Sequence, residues 1–155
     1  MLRIVLLEDN PADAEMLATA LEQAGAATEI ELIADGVEAA EYFERIDAAS
    51  GPLEFDLVLL DLNLPRMSGF EVLERIRACE NLKSLPVIVL SGSSAAPDVD
   101  RCYRAGANSY ICKPAHLDDI LAMAVQFVTY WSQFARLPSR RPAASVSPSR
   151  VRVVA

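Results

Sequence analysis

Five short apolar runs recur along most of the chain. They lie at residues 4–7, 30–33, 57–60, 87–90 and 110–111. Each run is rich in leucine or β-branched residues and is too short for a buried helix, so it predicts a strand. Between the runs, apolar residues three and four apart predict helices at 13–24, 37–46 and 70–79, and more weakly at 94–105. Apolar strands that alternate with amphipathic helices indicate a parallel sheet covered on both faces.

The predicted fold class is therefore α/β: a flavodoxin-like, doubly wound five-stranded parallel sheet with strand order 2-1-3-4-5, built from five βα units. Residues 1–137 are expected to form this domain together with an extended last helix. Residues 138–155 are rich in Pro, Ser and Ala, and they contain four arginines and no acidic residue. They predict a flexible basic tail.

The last predicted helix is long and unusually apolar. One stripe at helical spacing should face the sheet: Leu117, Ile120, Leu121, Ala124, Phe127, Val128 and Trp131. Met123, Tyr130 and Phe134 form a second apolar edge, which suggests a protein partner or a second copy of the chain, so that a homodimer through this helix is expected. An oversized core stripe is the alternative interpretation.

Composition narrows the classes of protein to consider. The 155 residues are 52% apolar and carry a net charge of −8, which argues against nucleic acid as the main partner. The three cysteines have no Cys-x-x-Cys spacing, which excludes a disulfide framework and fits a reducing compartment. No apolar run is long enough for stable membrane insertion or for a signal peptide, so we expect a cytoplasmic protein.

Polar groups follow four of the predicted strands, at the carboxyl ends where doubly wound sheets place their functional residues. Glu8 and Asp9 follow the first strand and Asp61 the third, the fourth ends in Ser91, and the fifth runs into Lys113. The predicted strand order brings all five to one edge of the sheet. Clustered carboxylates raise each other's proton affinity, and a hard divalent cation relieves this repulsion. An all-oxygen site without nearby His or Cys favours Mg²⁺ over zinc.

Asp61 lies between the acidic pair and Lys113 across the predicted sheet, so it is the best placed nucleophile. A carboxylate nucleophile can form an aspartyl-phosphate. Glu8 and Asp9 then become metal ligands. Ser91 would hydrogen-bond one phosphoryl oxygen, and Lys113 would neutralise its charge.

Four segments resemble the motifs of response-regulator receiver domains of two-component signalling. They are LEDN at 7–10, LLDLNLPRMSG at 59–69, LSG at 90–92 and SYICKP at 109–114. The resemblance implies that Asp61 accepts a phosphoryl group from a sensor histidine kinase. It also implies that Mg²⁺ is bound by Asp9, Asp61 and the main-chain carbonyl of Asn63, with Glu8 binding it directly or through water.

The same resemblance implies a conformational switch. Ser91 takes the position of the switch hydroxyl, Tyr110 that of the switch aromatic and Lys113 that of the phosphate-binding lysine. On phosphorylation Ser91 and Lys113 are expected to move toward the phosphoryl group, which lets Tyr110 swing inward and reshapes a protein-binding face. The bond between Lys113 and Pro114 is expected to be cis.

Two terminal segments are similar to single-domain regulators that partner bacterial phytochromes and related sensor kinases. They are EDNPADA near the start and TYWSQFARLP at the end of the last helix. This similarity implies a light-responsive or similar sensor kinase and a homodimer built partly from the last helix. No output domain is expected after residue 137, so the output would be protein binding or onward phosphotransfer.

Three alternatives stay open. An aspartyl-nucleophile phosphohydrolase usually carries a second carboxylate two residues after the nucleophile, where this chain has Asn63. A flavodoxin-like cofactor binder needs a glycine-rich phosphate loop after the first strand, where EDNPADA stands. A degenerate receiver would signal without phosphorylation, although every chemical group is present. We expect a phosphoacceptor switch that is not an enzyme and has only self-phosphorylation and self-dephosphorylation chemistry.

Overall fold

Strands and helices alternate through the chain in the computed structural model, which describes residues 1–25, 27–138 and 150–154. The strands are β1 (Leu2–Leu7), β2 (Thr28–Ile33), β3 (Leu57–Leu60), β4 (Val87–Ser91), β5 (Ser109–Cys112) and β6 (Arg150–Val153). The helices are α1 (Pro11–Gln23), α2 (Gly36–Ala49), α3 (Gly69–Ala78), α4 (Ala96–Arg104) and α5 (Leu117–Thr129). A short 3-10 turn, Glu80–Leu82, follows α3, and a π-helical turn, Tyr130–Phe134, extends α5.

The sheet is parallel throughout and has the order β5-β4-β3-β1-β2-β6. The predicted order of the first five strands, 2-1-3-4-5, is confirmed. β1 and β3 are paired with Leu7 opposite Leu60, so the residues after these two strands begin side by side. This register brings Glu8 and Asp61 together at the carboxyl edge.

The sixth strand differs from the sequence prediction. Arg150–Val153 pairs with the outer edge of β2, although these residues were assigned to a flexible tail. The composition of residues 138–155 as a whole predicts a tail, whereas the short alternation of Arg and Val at 150–153 is compatible with an edge strand, whose partner the local sequence does not identify. Residues 139–149 and 155 of the predicted tail lie outside the described residues.

Helices cover both faces of the sheet. α1 and α5 pack on one face, over a core that includes Leu17, Leu21 and Phe127. α2, α3 and α4 cover the other face, where Phe43 and Ile76 are buried. This two-sided cover explains why the central strands are apolar along their whole length. None of the helices in the described part of the chain has the length and apolar character that a bilayer crossing requires.

The last helix only partly follows its predicted pattern. Ile120, Ala124, Phe127 and Val128 are buried as expected, but Leu117 is 57% exposed at the first turn. The three residues of the predicted second apolar edge, Met123, Tyr130 and Phe134, differ in their exposure. Met123 is partly buried and packs against the core that α1 and α5 share. Tyr130 and Phe134, in the π-helical turn that follows α5, are 54% and 70% exposed.

Candidate functional site

Three carboxylates meet at the carboxyl edge of the sheet. Glu8 and Asp9 follow β1 and Asp61 follows β3, and one oxygen from each lies within 4.8 Å of the others. Glu8 and Asp61 are buried, while Asp9 is exposed. The site therefore has a buried floor and one ligand at its solvent side, as the strand-end reasoning predicted.

The two turns that follow these strands hold the buried carboxylates in place. The main-chain N–H of Asn10 donates to Glu8 Oε1 at 3.0 Å, and that of Asn63 donates to Asp61 Oδ1 at 3.1 Å. Asn10 also caps α1, since its side chain accepts from two N–H groups of the first turn. The same short loops thus end the strands, orient the carboxylates and begin the helices.

Gly69 lets α3 begin directly against the end of β3. An ideal Cβ at this position would lie 2.2 Å from the main-chain oxygen of Asp61 and 2.6 Å from the Cα of Leu62. Neither backbone atom can move without moving the carboxylate. The glycine is therefore required by the close approach of the helix to the site. Ser68 and Glu71 form a capping box that fixes where α3 starts.

Lys113 joins the carboxylates from the other side of the site. It follows β5, and its main-chain N–H donates to the Ser91 carbonyl at 2.8 Å. Its Nζ donates to Glu8 Oε2 at 2.5 Å and to Asp61 Oδ2 at 2.9 Å. A third carboxylate, Asp13, lies 3.5 Å from the same nitrogen. The ammonium compensates the charge of the two buried carboxylates.

The pKa values of Glu8 and Lys113 are set by two opposing effects, which are burial and the pairing of the two side chains. Burial raises the pKa of Glu8, and the hydrogen bonds from Lys113 and from the Asn10 N–H offset only part of that rise. Burial by itself lowers the pKa of Lys113, but its hydrogen bonds to Glu8 and Asp61 outweigh this effect, so the net pKa is raised. Lys113 is thus held in its charged form.

Asp13 was not among the predicted site residues. It lies in the first turn of α1, directly after the loop that carries Glu8 and Asp9. The available signal was its position: the first turn of a helix that follows a strand faces the carboxyl edge of that strand. Asp13 also lines a cleft beside the site, together with Met16, Ile120, Met123 and Pro114.

Ser91 ends β4, and Tyr110 lies on the neighbouring outer strand β5. Ser91 is fully buried, and its hydroxyl accepts from the Ser93 N–H at 3.3 Å. The Tyr110 ring packs partly buried against the core, and its hydroxyl donates to the Ser93 carbonyl at 2.8 Å. Both predicted switch residues therefore contact one loop, between β4 and α4. The Ser93 hydroxyl donates to Asp98 of α4 at 2.6 Å, which ties the loop to that helix.

The expected cis bond before Pro114 is absent. All peptide bonds in the described residues are trans, including the one between Lys113 and Pro114. The cis prediction was wrong for this structure, and trans is the isomer that X-Pro bonds prefer intrinsically. Lys113 reaches both carboxylates from the trans bond.

The donor set fits a hard cation. Three carboxylates within 4.8 Å supply only oxygen ligands, which suits Mg²⁺. Glu8, Asp9 and Asp61 thus form an acidic cluster of the donor type that the expected Mg²⁺ prefers.

This fold and site define a class of protein. A doubly wound sheet with order 2-1-3-4-5, whose carboxyl edge joins three carboxylates to a lysine, is the arrangement expected of receiver domains. The response regulator receiver domain model matches residues 4–125. The chain belongs to this family, whose members are response regulators of two-component signalling.

Individual relatives are similar over most of the chain. The probable methanogenesis regulatory protein FilR2 of Methanothrix harundinacea is 37% identical over 135 residues, 87% of this chain and 86% of that protein. Response regulator Rcp1 of Synechocystis is 32% identical over 136 residues, 88% and 92% of the two chains.

Two solved structures have the same fold. The phosphorylated cyanobacterial phytochrome response regulator RcpA superposes with a TM-score of 0.79 and 36% identity, covering 88% of this chain and 98% of that one. The Mn²⁺-bound form of Rcp1 superposes with a TM-score of 0.78 and 31% identity, covering 90% and 100%. The chain is therefore similar, in sequence and in fold, to response regulators that include a phytochrome response regulator.

Proposed function

We propose that the chain is a phosphoacceptor switch that receives a phosphoryl group from a sensor histidine kinase on Asp61, in a reaction that needs Mg²⁺. The observation that carries the proposal is the pairing of Lys113 Nζ with both Glu8 and Asp61 at an edge where Asp9 completes a trio of carboxylates. A buried carboxylate next to a fixed ammonium and further acidic groups is the arrangement that phosphoryl transfer to an aspartate requires.

In the proposed reaction one carboxylate oxygen of Asp61 attacks the phosphorus of the phosphohistidine. The new O–P bond forms as the N–P bond breaks, and the imidazole leaves with the electron pair of that bond. Lys113 then exchanges its contact with the Asp61 carboxylate for one with a phosphoryl oxygen. Before the transfer its pKa is raised, because its contacts with Glu8 and Asp61 outweigh the effect of burial, so it enters this step as a cation. Ser91 supplies a hydroxyl donor for a second phosphoryl oxygen.

Mg²⁺ would be held by Glu8, Asp9, Asp61 and the Asn63 carbonyl. When bound, it would neutralise charge on the phosphoryl oxygens and on the carboxylates. Support for this assignment comes from the cluster of oxygen ligands and from the Mn²⁺-bound form of the related Rcp1. The chain's own contribution is to keep Glu8 and Asp61 oriented by the turn N–H groups, so that little reorganisation is needed.

The proposed switch runs through the loop between β4 and α4. Ser91, at the start of this loop, is drawn toward the phosphoryl group. The loop also accepts the Tyr110 hydroxyl at Ser93 and is tied to Asp98 of α4. Displacement of Ser91 therefore changes the contacts of Tyr110 and α4 together, and the face formed by α4, β5 and α5 binds its protein partner differently.

The proposed partners are a sensor histidine kinase, in particular one of the bacterial phytochrome type, and a second copy of the chain. The first rests on similarity to RcpA, which is a phytochrome response regulator. The second rests on Tyr130 and Phe134, two exposed aromatic residues on one turn at the end of α5. Phe134 in particular buries little of its ring within its own chain.

The experiment is intact mass spectrometry after incubation with Mg²⁺ and acetyl phosphate. We expect one added phosphoryl group in the wild type and in Asp100→Asn, an exposed control on α4, but none in Asp61→Asn or after chelation of the metal. Turnover of a generic phosphomonoester with many phosphates released per chain would instead indicate a phosphohydrolase. Absence of the adduct together with absence of beryllofluoride binding would refute the phosphoacceptor function.

A further inference from the structure

The outer edge of β2 alternates acidic and apolar residues. Glu29 and Glu31 alternate with Ile30 and Leu32. β6 lies against this edge in the register Glu29–Arg150, Ile30–Val151, Glu31–Arg152 and Leu32–Val153. Each acidic residue of the edge is thus opposite an arginine, and each apolar residue is opposite a valine.

The two glutamates are held in position by the domain itself. Glu29 Oε2 lies 3.3 Å from Arg3 Nε, on the neighbouring strand β1. Glu31 Oε2 accepts a 2.6 Å hydrogen bond from the Tyr42 hydroxyl of α2. Because residues two apart on a strand share a face, both carboxylates lie on the α2 side of the sheet. Each carboxylate retains acceptor positions after its contact, so the edge presents a fixed pair of negative charges.

The last residue of β6 is largely exposed to solvent: Val153 is 70% exposed. Val154 packs partly buried against the α2 side of the core, and its N–H donates to the Leu32 carbonyl at 3.0 Å. A four-residue edge strand whose last valine is largely exposed depends on main-chain hydrogen bonds, and its register with β2 places residues of opposite charge at the same positions of the two strands. Such a strand opens far more readily than the rest of the sheet.

We propose that the β2 edge is a charge-selective strand-docking site, and that its occupant is the chain's own segment Arg150–Val153, which opens and closes on an otherwise intact domain. Main-chain hydrogen bonds supply the attraction, and the alternation of arginine and valine supplies the selectivity, as in other cases of strand addition. In the strand order, β5 forms one side of the sheet and this β2 edge lies toward the other, away from Asp61. The proposal therefore does not depend on the phosphoacceptor function.

The test uses the full chain and hydrogen exchange followed by NMR. The Val154 N–H reports docking of β6, and the Asp61 N–H, bonded to the Leu7 carbonyl at 3.0 Å, reports the intact fold. We expect Val154 to exchange much faster than Asp61, and faster still as salt is added, because salt screens the charge pairing. In the double variant R150E/R152E the protection of Val154 should be lost while that of Asp61 is kept.

A matched control and an added peptide make the test specific. R140E/R141E makes the same change in net charge outside β6, and it should leave the Val154 protection unchanged. A synthetic peptide SRVRVVA, residues 149–155, should shift the β2 resonances of the R150E/R152E chain, whereas SEVEVVA should not. The proposal is overturned if Val154 exchanges only with global unfolding, if R150E/R152E keeps its protection, or if the two peptides bind equally.

Discussion

Replacement of Lys113 by methionine tests how the buried carboxylates are stabilised. The substitution keeps a long side chain but removes the ammonium that donates to Glu8 at 2.5 Å and to Asp61 at 2.9 Å. Both carboxylates are buried, so each loses its cation without gaining full hydration. Asp13, which is only half-buried and lies 3.5 Å from the Lys113 nitrogen, is expected to add little.

Two effects determine how much Lys113→Met lowers the free energy of unfolding. A hydrogen bond between charged groups contributes about 1.5–3 kcal/mol, and breaking a buried ion pair costs about 3–5 kcal/mol. Against this, the variant no longer pays for burial of the lysine itself, which is the largest single influence on the Lys113 pKa. We therefore expect a net loss of about 2–4 kcal/mol in the free energy of unfolding at neutral pH without metal. In urea this corresponds to a midpoint lower by roughly 1–2 M.

The difference in stability between Lys113→Met and the wild type should depend on pH, in a direction that the pKa of Glu8 determines. Glu8 already has a raised pKa, and the variant removes the Lys113 contacts that lower it, so the pKa rises further. When the pKa of a carboxyl is higher in the folded state than in the unfolded state, the folded protein gains stability as the pH falls from the folded pKa toward the unfolded pKa, which is 4.5 for Glu8. The gap between variant and wild type should therefore narrow as the pH is lowered from neutral toward about 5.

Urea denaturation with and without Mg²⁺ is the assay, and Lys83→Met is the control. Lys83 pairs with Glu80 at 2.5 Å, but both side chains are well exposed, so its loss should change stability by less than about 0.5 kcal/mol. Mg²⁺ should stabilise Lys113→Met more than the wild type, because no ammonium competes for the carboxylates. A variant as stable as the wild type without metal, or an equal response to Mg²⁺, would refute this reasoning.

Three further variants test other parts of the structure. Tyr110→Phe removes the hydroxyl that donates to the loop between β4 and α4, and it should cost about 1 kcal/mol in urea denaturation; no loss would mean that this bond is absent in solution. Gly69→Ala places a methyl 2.2 Å from the Asp61 oxygen and should cost about 3 kcal/mol and slow phosphorylation, whereas unchanged rates would contradict the close approach. Substitution of both Tyr130 and Phe134 by alanine should weaken a homodimer at least tenfold in sedimentation velocity, about 1.4 kcal/mol, and an unchanged dimer would locate the interface elsewhere.

The central sheet and the carboxylate site were predictable because they depend on local pattern and on one topological rule. Apolar runs identify the strands, and the carboxyl ends of adjacent parallel strands must meet at one edge. Glu8, Asp9 and Asp61 therefore converge as expected, and Lys113 reaches two of them.

Features that depend on tertiary contact were not predictable in the same way. β6 is a four-residue strand on the edge of β2, and the alternation of Arg and Val at 150–153 was the available signal, although so short a pattern next to a Pro- and Ser-rich segment does not identify the strand that it pairs with. Met123 has the same helical spacing as the exposed aromatic residues, but it is partly buried because it packs against the core that α1 and α5 share, a contact that spacing alone does not specify. The isomer of the bond before Pro114 is likewise decided by its surroundings, since the intrinsic difference is about 0.5–1 kcal/mol.

The central claim is that Asp61 is the residue that receives the phosphoryl group. An acyl phosphate is reduced by borohydride to an alcohol, so a phosphorylated aspartate becomes homoserine, which peptide mass spectrometry can locate. After treatment with Mg²⁺ and acetyl phosphate we predict homoserine at position 61, no homoserine at position 9, and no 5-hydroxynorvaline, the product that a glutamyl phosphate would give, at position 8. A reduced residue at position 8 or 9, or no reduced residue in protein that carries the added phosphoryl mass, would contradict the assignment.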